Sequence, residues 1–183
     1  MEHYVNTFLT GQSVMLQQMA STDLEAFVAN ESEITTLLLA NDDIPFPQTK
    51  EDHTAFFHSI SGKKEEFFFG IYEKDSHQLI GSCGVFSVNW QNSTCSVGIA
   101  IGKAWQGKGY GTDAMKTLID FIFQYIALQK IKLQVFSFNQ AAILSYEKCG
   151  FTKEGTLRQE IFRFGTFHDI LLFGLLRSEW EKN

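Results

Sequence analysis

The chain has 183 residues, 44% hydrophobic and 20% charged, the size and make-up of one ordinary globular domain that buries its own core. Its formal net charge of −6 argues against the basic stripe that a nucleic-acid binder needs to meet phosphates, so no nucleic-acid partner is expected. No apolar run approaches the length of a bilayer span, and Met1-Glu2-His3-Tyr4 does not open a basic-then-apolar leader, so neither a membrane nor a signal peptide is expected. Cys83, Cys95 and Cys149 are odd in number with no CxxC spacing, and the histidines are scattered with no HExxH. A disulfide framework and a metal site are therefore not expected, and a reducing, cytoplasmic setting is.

Val14 to Gln17 reads as a first strand. Ser21-Thr22-Asp23-Leu24 starts a helix that carries Leu24, Phe27, Val28 and Ile34 at roughly helical spacing. Ala40 to Gln48 holds both prolines of the chain and must be a loop. Thr49-Lys50-Glu51-Asp52 carries a capping signature and restarts a helix with Phe56, Phe57 and Ile60. Strands follow over Phe67 to Glu73 and Leu79 to Asn89, joined by a turn at Asp75-Ser76-His77, and then over Thr94 to Ile101. A glycine-rich loop opens a long helix whose Met115, Leu118, Ile119, Ile122 and Ile126 form one apolar stripe. Lys130 to Phe138 is a strand, Asn139 starts a short helix that stops at Cys149-Gly150, and Phe151 to Phe164 with Phe167 to Leu176 form a hairpin around Gly165. The outline is α+β: a single domain over residues 1–183 with a mixed, mostly antiparallel sheet flanked by helices.

The loop runs from Gly102 to Thr112 and contains Gln106-Gly107-Lys108-Gly109-Tyr110-Gly111. Three alternating glycines let the backbone approach a ligand and turn its N–H groups inward, and the helix behind adds free donors and a positive dipole end. That suits a pyrophosphate. A Walker A loop requires Ser or Thr where Gly109 stands, and a Rossmann fingerprint fails because the third glycine comes one residue early. Coenzyme A diphosphate, or a glycine-rich turn with no ligand, remain.

The loop resembles the Gln-x-x-Gly-x-Gly/Ala signature of the GNAT N-acetyltransferase superfamily. Asn139 to Phe151, with Tyr146-Glu147-Lys148-Cys149-Gly150-Phe151 at its end, resembles the second motif of that family. Phe162-Arg163-Phe164-Gly165-Thr166-Phe167-His168-Asp169 resembles the closing hairpin of the branch of ribosomal-protein alanine and spermidine N-acetyltransferases. The resemblance covers residues 78–180 well and the N-terminal third in outline.

The resemblance implies transfer of an acetyl group from acetyl-CoA directly to a primary amine, a peptide or protein N-terminus or a small amine, without a metal. The acetyl-CoA core would span about 78–176 and the acceptor-side helices about 20–65. It implies that Ile99, Ala100 and Ile101 offer their backbone to the pantetheine arm and that Gln106, Gly107, Lys108, Gly109, Tyr110, Gly111 and Thr112 form the pyrophosphate loop. Asn139 would contact the donor, although an Asn there also reads as a helix N-cap. Tyr146 would be the general acid that protonates the departing thiolate, its ordinary pKa near 10 keeping the proton in place at neutral pH. A homodimer is compatible with the resemblance.

The sequence departs from the family at Ser96, where relatives often carry a Glu base. Asp42, Asp43, Glu33 and Glu31 are the alternatives that act through water or hold a cationic acceptor; each also reads as a solvated carboxylate. An alkylamine of pKa about 10.4 is neutral about once in 2,500 molecules at pH 7, a cost of about 4.6 kcal/mol, against about 1–1.4 kcal/mol for an α-amine. That favours an acceptor of low pKa. A non-catalytic acyl-CoA sensor is the competing reading: Ser96 supports it and Tyr146 opposes it.

Overall fold

The computed structural model describes residues 8–39, 42–59 and 66–181. Within them run the strands β1 (Val14–Gln17), β2 (Phe67–Glu73), β3 (Leu79–Asn89), β4 (Thr94–Ile101), β5 (Lys130–Phe136), β6 (Thr152–Arg163) and β7 (Thr166–Leu176). The helices are α1 (Leu24–Glu31), α2 (Ile34–Leu39), α3 (Lys50–Ser59), α4 (Tyr110–Tyr125), α5 (Gln140–Lys148) and α6 (Arg177–Trp180). The strands form one sheet in the order β1-β2-β3-β4-β5-β7-β6, antiparallel throughout except for β4 with β5. This is the mixed, mostly antiparallel sheet flanked by helices that the sequence implies. The parallel pair needs a crossover, and α4 supplies it.

The two faces of the sheet carry different cores. On one, Met115, Leu118, Ile119 and Ile122 of α4 are buried against Ile71, Val85, Cys95, Val97, Leu133 and Val135. The predicted stripe of α4 is this face, with Ile126 following as the buried residue just past the helix end. On the other face, Phe27 of α1 and Phe57 of α3 pack with Tyr72 and Leu79. Alternation along β2 sends Phe67, Phe69 and Ile71 to the first core and Phe68 and Tyr72 to the second. Phe27 and Phe57 meet edge-on with ring centroids 5.5 Å apart.

The ends of α4 are pinned by charge. At its first turn the Asp113 carboxylate accepts from the backbone N–H groups of Gln12, Ser13 and Val14 and from the Ser13 hydroxyl, which fixes where β1 enters. At its far end the Arg177 guanidinium donates to the carbonyl of Phe123 in the last turn and to those of Ile126 and Leu128 just beyond the helix.

Two expectations change. The helix opened at Leu24 is two helices, broken at Ser32 and Glu33, because Glu33 accepts the Thr35 N–H at 2.8 Å and the Thr35 hydroxyl and so caps a new start. Ile34 therefore leaves the Phe27 face and stands 57% exposed. The strand expected to reach Phe138 ends at Phe136, where Asn139 N–H turns back to the Phe136 carbonyl. The helix at Thr49 forms as its capping signature predicts: the Asp52 carboxylate accepts from Thr49, and Asp52 N–H donates to the Thr49 hydroxyl. Ile60, and Ala40 and Asn41 of the proline loop, lie outside the described residues. The final hairpin turns at Phe164 and Gly165, both at positive φ, the handedness that matches strand twist.

Candidate active site

β4 and β5 pair only where Thr94, Cys95 and Ser96 meet Lys130, Ile131 and Lys132. Beyond Ser96 the strands part. β4 continues to Ile101 paired only with β3, and β5 continues to Phe136 paired only with β7. A cavity of about 910 Å³ fills the opening, with Ile99, Ala100 and Ile101 along one side and Leu133 to Phe136 along the other. The edge of β4 from Val97 onward faces this space, so its peptide groups can pair with an extended ligand as a further strand would. Ile99 and Ile101 meanwhile pack their side chains against the α4 core. The backbone edge and the side chains thus face different neighbours.

The glycine loop closes one end. A 3-10 turn over Lys103–Trp105 leads to Gln106, whose side-chain amide donates to the Ile101 carbonyl at 2.8 Å and ties the loop to the strand end. Gly107 and Gly109 sit at φ +74° and +88°, in the left-handed region, and a Cβ at either would meet no atom within 4 Å. The cradle is open space bounded by backbone, the shape a diphosphate requires. Gly109 is the N-cap of the 16-residue α4, whose first N–H groups and dipole face the same end. Tyr110, Gly111 and Thr112 border the cavity as well. Lys108 does not: its ammonium lies over the Trp105 ring, 5.1 Å from the centroid. The Thr112 hydroxyl is hydrogen-bonded to that of Ser145 at 2.8 Å, and the Cys149 thiol donates to the Thr112 carbonyl. These contacts tie α5 to the loop.

α5 brings the two residues of the second motif to the wall. The Asn139 side chain accepts from Ala142 N–H at 3.2 Å, so it is an N-cap that also borders the cavity. Tyr146, one helix face further on, is 8% exposed and edge-on to Phe151. Burial, with a smaller contribution from Cys149, pushes its phenol up to about 12. Burial raises the Cys149 thiol to about 11, with Lys116 pulling the other way.

The acceptor-side candidates separate. Ser96 stands at the apex where the strands part, and Asp42 borders the cavity. Glu33 is absent from the cavity wall; it caps α2 and lies 3.8 Å from Lys103. Its carboxyl is held below the ordinary value by the Thr35 hydroxyl and N–H, and then by Lys103. Asp43 is also off the wall, its carbonyl accepting from Arg163 at 2.5 Å. Glu31 accepts from the Ser82 hydroxyl at 3.2 Å, and burial raises its carboxyl above the ordinary range.

Sequence reasoning missed the far wall. Lys132, Gln134 and Phe136 of β5, Glu154 of β6, and Ile170 and Leu172 of β7 all border the cavity. Register places Gln134 opposite Leu172 and Phe136 opposite Ile170, on the face away from α4. The alternation of Lys132 and Gln134 with Ile131 and Leu133 is visible in the sequence. That β5 is the strand across the opening is not.

Comparison with known proteins agrees with this geometry. The acetyltransferase (GNAT) domain family matches residues 13–152. An uncharacterized, SPbeta prophage-derived N-acetyltransferase of Bacillus subtilis (strain 168) is 31% identical over 177 residues, 97% of each chain. The spermidine N(1)-acetyltransferase of Vibrio cholerae is 31% identical over 110 residues, 60% of this chain and 64% of that one. In three dimensions, the crystal structure of spermidine N-acetyltransferase from Vibrio cholerae in complex with CoA and spermine superposes with a TM-score of 0.83 at 23% identity, covering 92% of this chain and 98% of that one. The splayed strands, the glycine cradle and these relatives together place the chain in the GNAT acetyltransferase family, as an acetyl-CoA-dependent N-acetyltransferase.

Proposed function

We propose that the opening between β4 and β5 holds donor and acceptor together, with the transfer taking place between Tyr146 and Ser96. The observation that carries this is one continuous cavity that runs from the glycine loop, past Tyr146, to the apex at Ser96. The backbone of Gly107 to Thr112 and the α4 N-terminus would bind the pyrophosphate, and the free edge of Ile99 to Ile101 the pantetheine arm. The acceptor would enter from the face that carries α1 to α3, where Ser96 and Asp42 lie. Residues 20–65 would then serve the acceptor and 78–176 the donor.

The chemistry asked of the chain is small. It aligns the amine nitrogen with the thioester carbonyl, which converts a bimolecular step into an effectively unimolecular one. Tyr146 gives its phenolic proton to sulfur as the carbon–nitrogen bond forms and the carbon–sulfur bond breaks, so that coenzyme A leaves as a thiol. The proton shed by the amine passes to water at the Ser96 mouth, and Tyr146 is reprotonated from solvent. A phenol held near 12 is in its acid form throughout the physiological range. The three free thiols support a reducing, cytoplasmic setting. Among the described residues no helix is long and apolar enough to cross a membrane.

The test is thiol release from acetyl-CoA with a panel of amines, for the wild type and Tyr146→Phe. The variant is expected to turn over at least tenfold more slowly with donor affinity nearly unchanged. Wild-type rates would remove Tyr146 from the reaction, and donor binding with no thiol release by any amine would leave a binding module in place of an enzyme.

A further inference from the structure

The charge on the cavity wall bears on what the acceptor is. Four charged side chains among the described residues border it: Asp42 and Glu154 against Lys132 and Lys148. Glu154 is engaged by a fifth, with the Lys130 ammonium 2.6 and 2.7 Å from its two oxygens. The wall therefore carries no excess of negative charge, and with Lys130 holding Glu154, Asp42 is the carboxylate of the described wall that no ammonium group engages. Lys132 is the register partner of Ser96 across the parallel pair, so a positive charge is rooted at the apex itself.

Apart from Gln134, the rest of the far wall is apolar. Phe136 and Ile170 are buried together with Ile161, and Leu39 from α2 and Leu172 from β7 pack against them. The Arg163 guanidinium lies over the Phe136 ring, 5.8 Å from its centroid, and holds the loop beyond Asp42 through the Asp43 carbonyl. A flexible polycation needs several uncommitted carboxylates in its path, because each unmatched ammonium loses its water for nothing and meets like charge. Among the described residues this wall provides one, Asp42.

We infer that the acceptor is an amine carrying a single charge on an apolar body, and that polyamines are discriminated against at this site. The inference rests on the acetyl-transfer reading above. Two sources share the chemistry, the N-terminus of a peptide with apolar leading residues and a small arylalkylamine. Lys132 contributes by placing a cation beside the acceptor nitrogen, which favours the neutral, reactive amine.

The experiment compares kcat/KM for thiol release with alanyl-phenylalanine amide, 2-phenylethylamine and spermidine, on the wild type and Lys132→Glu. Lys132 is exposed, so the substitution leaves the core untouched. One or both monoamines are expected to exceed spermidine by at least tenfold, the dipeptide amide leading if the source is a peptide and the phenylethylamine if it is a small amine. Lys132→Glu is expected to raise the spermidine-to-monoamine ratio at least tenfold. Spermidine equal to or better than both monoamines in the wild type would overturn the inference while leaving the acetyltransferase standing, and so would a ratio unmoved by Lys132→Glu. Donor binding without thiol release from any amine would overturn the transfer reading and this inference with it.

Discussion

Glu31 shows how burial of one carboxyl sets a pH dependence. Desolvation raises it, and its hydrogen bond from Ser82 only partly offsets that. A folded-state value above the unfolded one means that the native state binds the proton more tightly. The contribution to stability is therefore fully present below the ordinary value of 4.5 and is lost as pH rises through the folded-state value. Glu31→Gln keeps the group and its partner while removing the charge. It is expected to raise the urea midpoint at pH 8, with the advantage shrinking steadily toward pH 4.5; an advantage independent of pH would show that Glu31 is not the titrating group. Tyr146 behaves differently, because a phenol near 12 stays protonated. Rates are expected to climb with pH as the acceptor amine deprotonates, with no descending limb from Tyr146 before pH 10, which a pH–rate profile on a stable acceptor reads directly.

Among the elements, α4 is the part on which both site and core depend. Its N-terminus faces the cradle and its apolar stripe is the centre of the larger core. Arg177 locks the opposite end with three carbonyl contacts and lies over the Phe123 ring. Arg177→Ala removes charge-assisted hydrogen bonds and packing together and is expected to cost about 2–3 kcal/mol in chemical denaturation. A loss below about 0.5 kcal/mol would show that the helix end is held by other means. α4 was also the most legible element in the sequence, because its apolar spacing and the glycines before it fix type, face and start at once. The α1–α2 region was less so. Leu24, Phe27, Val28 and Ile34 continue at helical spacing through Ser32 and Glu33, and the break comes from a local capping contact between Glu33 and Thr35 that competes with the helix without altering the apolar pattern. At the site, chain-local motifs such as Gln106 to Gly111 and Asn139 to Phe151 were readable. Lys132, Glu154 and Leu172 were not, since they meet only through strand order.

For the whole molecule, donor binding and stability are linked. A ligand that binds only the native state stabilises it by about 2.7 kcal/mol at one hundred times its Kd, which for a chain of this length corresponds to a rise of about 5–10 °C in Tm. Acetyl-CoA is expected to give such a shift by thermal denaturation. Gly109→Trp, which fills the open space of the cradle and forces a bulky residue to φ +88°, is expected to abolish it; an unchanged shift would mean that the diphosphate binds elsewhere.

The parting of β4 from β5 has a mechanical consequence. The sheet is two half-sheets, β1 to β4 and β5-β7-β6, that share only the three-residue seam from Thr94 to Ser96 with Lys130 to Lys132. Past that seam the rungs of the ladder are missing, and a bound donor would replace them. Hydrogen–deuterium exchange is expected to be fast at those amides of Val97–Ile101 that face the opening and not β3 in the free protein, and strongly slowed there by acetyl-CoA, with β2 and β3 hardly affected. In this molecule the donor would act as the sheet's missing strand, stiffening the frame at the moment it delivers the group to be transferred.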